Sequence, residues 1–71
     1  MFKTEMFRDK VRESGVTYRH IAKCLGITPQ GLSMKVTGKS PFRLDEVQKI
    51  KAVLHLSSED VMAIFFADDV A

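Results

Sequence analysis

The 71-residue chain has a single cysteine, Cys24. One thiol forms neither an internal disulfide framework nor a multi-cysteine zinc site. No apolar run approaches the roughly 20 residues that a membrane-spanning helix needs. The opening stretch, MFKTEMFRDK, puts charges where a secretory leader needs an apolar segment, so secretion is not expected and a cytoplasmic protein is. No segment alternates apolar and polar residues over a strand length, so no sheet is expected. Repeats and low-complexity tracts are also missing. At this length residues 1–71 make one domain, whose core supplies only about 3–5 kcal/mol.

The most telling absence is of acid. From Ser14 to Leu44 there is no Asp or Glu, while Arg19, Lys23, Lys35, Lys39 and Arg43 fall inside that stretch. Residues 1–43 carry nine Lys/Arg against three Asp/Glu, and residues 44–71 carry two against six. A basic, acid-free stretch beside an acidic one suits a polyanion-binding face, and the plain alternative is a solvated helical surface with uneven charge.

What is present reads as helix throughout. Gly15, Gly26, Gly38 and the Leu56–Ser57 junction divide the chain into five segments of helical length. The first, about Thr4 to Ser14, places Phe7 and Val11 four apart. The second opens at Thr17, a good N-cap, and points Ile21 and Leu25 inward, with small Ala22 allowing close helix approach. Thr28 caps the third, Pro29 takes its first position, where a missing N–H costs nothing, and Gly38 stops it after Thr37. In the fourth, about Leu44 to Leu54, residues Leu44, Val47, Ile50 and Leu54 recur at helical spacing. The fifth, about 58–67, follows Ser57 with Asp60 three residues on, a capping-box pattern. It then runs Val61-Met62-Ala63-Ile64-Phe65-Phe66, apolar around most of its circumference. The expected core is Phe7, Val11, Ile21, Leu25, Leu32, Leu44, Val47, Ile50 and Leu54.

Helices two and three are separated only by Gly26-Ile27-Thr28. A three-residue turn that begins with glycine forces a steep crossing, the helix-turn-helix geometry. In that geometry the second helix can enter the major groove of DNA by its N-terminus.

The run Thr17-Tyr18-Arg19-His20-Ile21-Ala22-Lys23-Cys24-Leu25-Gly26-Ile27-Thr28-Pro29-Gln30-Gly31-Leu32-Ser33-Met34-Lys35-Val36-Thr37-Gly38-Lys39 resembles the lambda-repressor-like helix-turn-helix family, which includes repressors and Cro-type regulators of bacteriophages. The shared signature is a polar cap, Ile-Ala, Leu-Gly-Ile-Thr, an apolar residue and Ser, then Gly-Lys. The stretch Ser40-Pro41-Phe42-Arg43-Leu44-Asp45-Glu46-Val47 and the later Ile64-Phe65-Phe66 look like small phage regulators. The resemblance implies an all-α, five-helix domain whose helix-turn-helix occupies about 17–37. It implies a sequence-specific regulator of transcription that binds a double-stranded DNA operator and needs no cofactor. The chain also departs from the family. Tyr18 stands where Gln is common, and His20 where an acid would close a capping box. Pro29 and Gly31 bring no base-reading side chain to the start of helix three. Val11 and Val36 form an apolar pair where some relatives have an ion pair.

Under this reading Thr28, Gln30, Ser33 and Met34 face base edges, with the Gln30 amide suited to adenine and Met34 to a thymine methyl. Thr17, Tyr18, Arg19, Lys35, Lys39, Ser40 and Arg43 reach phosphates, which position the protein without reading sequence. The N-terminal N–H groups of helix two also favour an anion. Helix five is apolar on two stripes, so Met62, Phe65 and Phe66 are the expected interface of a homodimer, with Asp68 and Asp69 at its rim. The alternative class is a protein-interaction module that binds a partner repressor. His20 and Cys24 share a helix face without a third ligand or an orienting acid, so neither a metal site nor catalysis is expected. His55, at the end of helix four, suits the negative end of that helix dipole.

Overall fold

Five α-helices make up a computed structural model that describes residues 2–66. They are α1 (Thr4–Ser14), α2 (Tyr18–Leu25), α3 (Pro29–Val36), α4 (Leu44–Leu54) and α5 (Ser58–Phe65). The described residues contain no strand, and none of their helices is long and apolar enough to cross a membrane.

Local chemistry sets most of the boundaries. The Thr17 hydroxyl accepts the His20 N–H at 3.1 Å, and the Thr28 hydroxyl accepts the Gly31 N–H at 3.0 Å. Each satisfies one of the N–H groups that a helix start leaves without a partner. Ser57 and Asp60 cap reciprocally: the Asp60 N–H donates to Ser57 Oγ at 3.0 Å, and the Ser57 N–H to the Asp60 carboxylate at 3.2 Å. α2 stops at Gly26, which is left-handed (φ 73°), and the Ile27 N–H closes back onto the Ala22 carbonyl at 3.0 Å. α4 ends the same way without glycine. His55 takes the left-handed conformation (φ 55°), and the Leu56 N–H reaches the Lys51 carbonyl at 2.9 Å. Leu56 is then buried, and its burial helps hold His55 in a conformation that a Cβ disfavours. α5 ends at Phe65, short of the expected 67, with Phe66 as its cap. Residues 67–71, and with them Asp68 and Asp69, lie outside the described residues.

One core joins all five helices: Phe7 and Val11 of α1, Ile21, Ala22 and Leu25 of α2, Leu32 and Val36 of α3, Val47, Ile50 and Leu54 of α4, Val61 and Ile64 of α5, with Leu56 between the last two. Leu44 is the exception to the expected core, at 67% exposed. As the first residue of α4 it stands outside the packed stripe. The inner side of that helix start is closed by Phe42, packed on the core, and by buried Glu46. Val11 and Val36 both belong to the core, and the Thr4 hydroxyl at the start of α1 donates to the Val36 carbonyl at 2.7 Å.

The N-terminal segment is part of this core. The Phe2 ring lies 5.4 Å from Phe7, 4.9 Å from Phe42 and 5.2 Å from Phe65, centroid to centroid. Phe42 and Phe65 meet edge-on at 5.2 Å. Beside them the Lys3 N–H donates to the Ile64 carbonyl at 2.8 Å.

Two outcomes test this packing. Phe7→Ala should remove about 3–5 kcal/mol through lost burial and a cavity, as much as the core supplies, and leave the chain largely unfolded in buffer by circular dichroism, whereas Leu44→Ala should unfold in urea within about 0.5 kcal/mol of the wild type. Asp60 supplies a pH signature. The Ser57 backbone N–H holds its carboxyl below the usual 3.8, and the Ser57 hydroxyl and Lys10, 3.6 Å away, act in the same direction against partial burial. A depressed value stabilises the fold above the ordinary Asp range, and that gain disappears as pH falls through the folded-state value. Stability should therefore fall less steeply below about pH 4 in Asp60→Asn than in the wild type.

Candidate nucleic-acid interface

α3 has two unlike faces. Leu32 and Val36 are fully buried, while Gln30, Ser33, Met34 and Thr37 are exposed at i, i+3, i+4 and i+7, one continuous stripe. Met34 keeps 42% of its surface in solvent although it is apolar. Gln30 and Ser33 thus have side-chain polar groups directed outward, as a base-reading helix requires. Thr37 closes the stripe, but its hydroxyl already donates to the Ser33 and Met34 carbonyls. Thr28 serves the helix itself. Its oxygen holds the Gly31 N–H, which leaves the hydroxyl proton and one lone pair for a further partner. A Cβ on Gly31 would sit 3.2 Å from Thr28 Oγ1. Glycine at this position keeps the cap uncrowded, which accounts for the lack of a reading side chain there.

The expected phosphate-reaching residues divide into two groups. Thr17, Arg19, Lys39 and Arg43 are exposed, and Tyr18 and Ser40 are half-buried. Among the described residues Arg19, Lys23 and Lys39 pair with no carboxylate, and Arg43 pairs with Asp45 at 3.4 Å on the open surface. An exposed pair of that kind is weak and readily exchanged. The Tyr18 ring packs 5.9 Å from Phe7, and the Phe42 ring lies 6.3 Å from it. The start of α2 and the α3–α4 loop are therefore both anchored on one buried ring.

Lys35 behaves differently from its expected role. Its ammonium sits 3.0 Å from Glu46 Oε1 and donates to the Pro41 carbonyl at 3.0 Å, with the Phe42 ring centroid 5.9 Å away. The two side chains are only 14% and 7% exposed. With a carboxylate and a carbonyl already on its ammonium, Lys35 has one N–H left for a phosphate, on a side chain that is largely enclosed. Sequence reasoning placed Lys35 on the surface because its partner is eleven residues away, and nothing local in the sequence marks Glu46 as buried.

On α5 the expected interface residues also separate. Met62 is 44% exposed, whereas Phe65 and Phe66 are half-buried and packed on the core. Phe65 belongs to the aromatic group. Phe65 and Phe66 form one wall of an open apolar groove that continues over Phe2, Pro41, Phe42 and exposed Leu44.

Cys24 Sγ lies 3.6 Å from His20 Nε2 on the outer face of α2. The described residues hold no group of three or more His, Cys, Asp or Glu able to bind a metal.

No protein-family model and no curated protein matches the chain.

The division of labour on α3 can be checked without any ligand. Thr28→Ala should lower the stability of the free protein by about 0.5–2 kcal/mol through loss of the cap. Gln30→Ala should leave it within about 0.5 kcal/mol. Thermal melts of the two variants at equal concentration make the comparison.

Proposed function

We propose that the protein is a sequence-specific, double-stranded DNA-binding regulator of transcription, of the phage repressor or Cro-like kind. The observation that carries the reading is the exposed stripe Gln30–Ser33–Met34 on a helix that starts shortly after α2 ends, within a stretch free of acid. In the proposed complex α2 and α3 form the helix-turn-helix, and α3 lies in the major groove with Gln30 against a base edge. Arg19, Lys39 and Arg43 lie along the phosphates, and the free N–H groups at the start of α2 receive one more. Thr28 contributes mainly by capping α3.

A single short helix with two polar side chains reads few base pairs, so two copies on half-sites about 34 Å apart complete the operator complex. Met62 on α5 and Phe66 at its C-cap are the residues proposed to meet across the two-fold axis. A second reading is favoured by the apolar groove beside exposed Leu44: the chain binds a partner repressor there rather than DNA.

Band-shift titrations at two or more salt concentrations separate the readings. DNA binding through four or more phosphate contacts gives a log–log salt slope of about −3.5 or steeper, and Gln30→Ala should cost about 1–3 kcal/mol on the preferred site while flattening discrimination at one base pair. A slope near zero excludes the DNA reading. Sedimentation of the wild type and Met62→Ala with a palindromic site should show a 2:1 complex for the first and a weakened one for the second.

A further inference from the structure

The α3–α4 loop, residues 37–43, carries the exposed Lys39 and Arg43 and has neither a helix nor an apolar plug of its own beyond Phe42. It is nonetheless tied at both ends. On the α3 side the Gly38 N–H donates to the Lys35 carbonyl at 3.2 Å and the Lys39 N–H to the Met34 carbonyl at 2.9 Å. On the α4 side the Arg43 N–H donates to Glu46 Oε1 at 2.8 Å. The same carboxylate oxygen receives the Lys35 ammonium, which also holds the Pro41 carbonyl. One ion pair therefore spans the loop from the last turn of α3 to the first turn of α4 and fixes two of its backbone groups.

We infer that Lys35 and Glu46 are positioning residues: their buried pair sets the backbone of residues 38–43 and so aligns Lys39 and Arg43 for polyanion contact, without either member touching the ligand. The contact itself rests on the DNA reading above; the setting of the loop does not. A buried ion pair is a poor source of net stability, since desolvation offsets much of the attraction and an apolar replacement packs as well. What an apolar pair lacks is direction. It cannot accept the Arg43 N–H or donate to the Pro41 carbonyl, so the loop would lose both ties while the core persisted. The position also runs against simple electrostatics, because an acid beside a polyanion-binding loop weakens attraction unless it does something else there.

That opposition of signs supplies the test. Three proteins are compared at a temperature where circular dichroism shows each fully folded: the wild type, Glu46→Gln, and the charge-neutral double variant Lys35→Met with Glu46→Leu. Amide hydrogen exchange at Lys39 and Arg43, measured without DNA, reports the loop, with Ile21 as a core reference. Band shifts on a fixed duplex report affinity and salt slope. The expected result is exchange accelerated by about tenfold or more at the loop amides in the double variant, and by a smaller factor in Glu46→Gln, whose amide oxygen can still accept the Arg43 N–H, with Ile21 little changed. Several-fold weaker DNA binding accompanies it, even though Glu46→Gln makes the protein more positive. The double variant keeps the wild-type net charge, so its loss cannot arise from long-range attraction. Tighter binding by Glu46→Gln with loop exchange unchanged overturns the inference, as does a double variant with wild-type exchange and affinity. A double variant that has lost about one unit of salt slope, beside a Glu46→Gln that binds more tightly, instead makes Lys35 a direct phosphate contact and also overturns it. If the wild type binds no DNA, the reading beneath the alignment falls, and the exchange data alone still decide whether the pair sets the loop.

Discussion

Packing of Phe2 and Phe7 against Phe42 and Phe65 is the contact on which the rest of the fold depends. A 71-residue chain has too little interior to tolerate loose ends, because its whole stability is a small surplus over conformational entropy. The aromatic group draws four separate parts of the chain to one place: the N-terminal segment, α1, the α3–α4 loop and the end of α5. Each ring brings large apolar area at the cost of few rotatable bonds, and the tilted and edge-on arrangements are those that aromatic quadrupoles favour. Hydrogen bonds from Lys3 to Ile64 and from Thr4 to Val36 then lock the N-terminal segment in register. Phe7 also meets Tyr18 of α2, at 5.9 Å, which joins a further helix to the group.

Once that group is packed, the polar surface is largely determined. The turn after α2 and the cap on α3 orient Leu32 and Val36 inward, so helical periodicity puts Gln30, Ser33 and Met34 outward. Phe42, drawn into the core, pulls the α3–α4 loop across the end of α3. That brings the Lys35 ammonium to Glu46 and turns one expected surface cation into an interior tie. Of the five cations in the acid-free stretch from Ser14 to Leu44, the other four, Arg19, Lys23, Lys39 and Arg43, stay exposed. The basic surface of this protein is thus a by-product of where acids are absent as much as of where bases are present.

The start of α3 illustrates a trade between stability and recognition. Pro29 and Gly31 both serve the helix start, the first by its preset backbone angle and the second by leaving room at the Thr28 cap. Neither can touch a base edge through a hydrogen-bonding side chain. In the proposed complex, readout falls to very few side chains, and phosphate contacts must place them accurately. A rigid loop and a second copy of the chain both serve that end. The groove beside Leu44 and the exposed Met62 on α5 are the apolar surfaces through which this small domain meets another protein surface in either proposed reading.

The helices and most of the core were legible in the order of residues alone. Caps at Thr17, Thr28 and Ser57, stops at Gly15, Gly26 and Gly38, and 3.6-residue spacing are local signals that act within a few residues, so α2, α3 and α5 begin at their caps, α1 and α2 end at their glycines, and α3 ends just short of Gly38. The outward face of α3 follows from the same periodicity. Features that depend on partners far apart in the chain emerged only on folding. Leu44 keeps the spacing of a core residue yet is exposed, because a helix's first turn is governed by what packs beside it. Phe2 and Phe42 look like ordinary apolar residues at the edges of segments until the chain closes and makes them the centre of an aromatic group. Lys35 reads as a phosphate-reaching surface cation and Glu46 carries no sequence signal of burial, since burial of a charge is stabilised only by a partner that folding delivers. Periodicity records which face of a helix is apolar; it carries no record of which distant side chain will meet that face, and that meeting decides which residues stay on the surface.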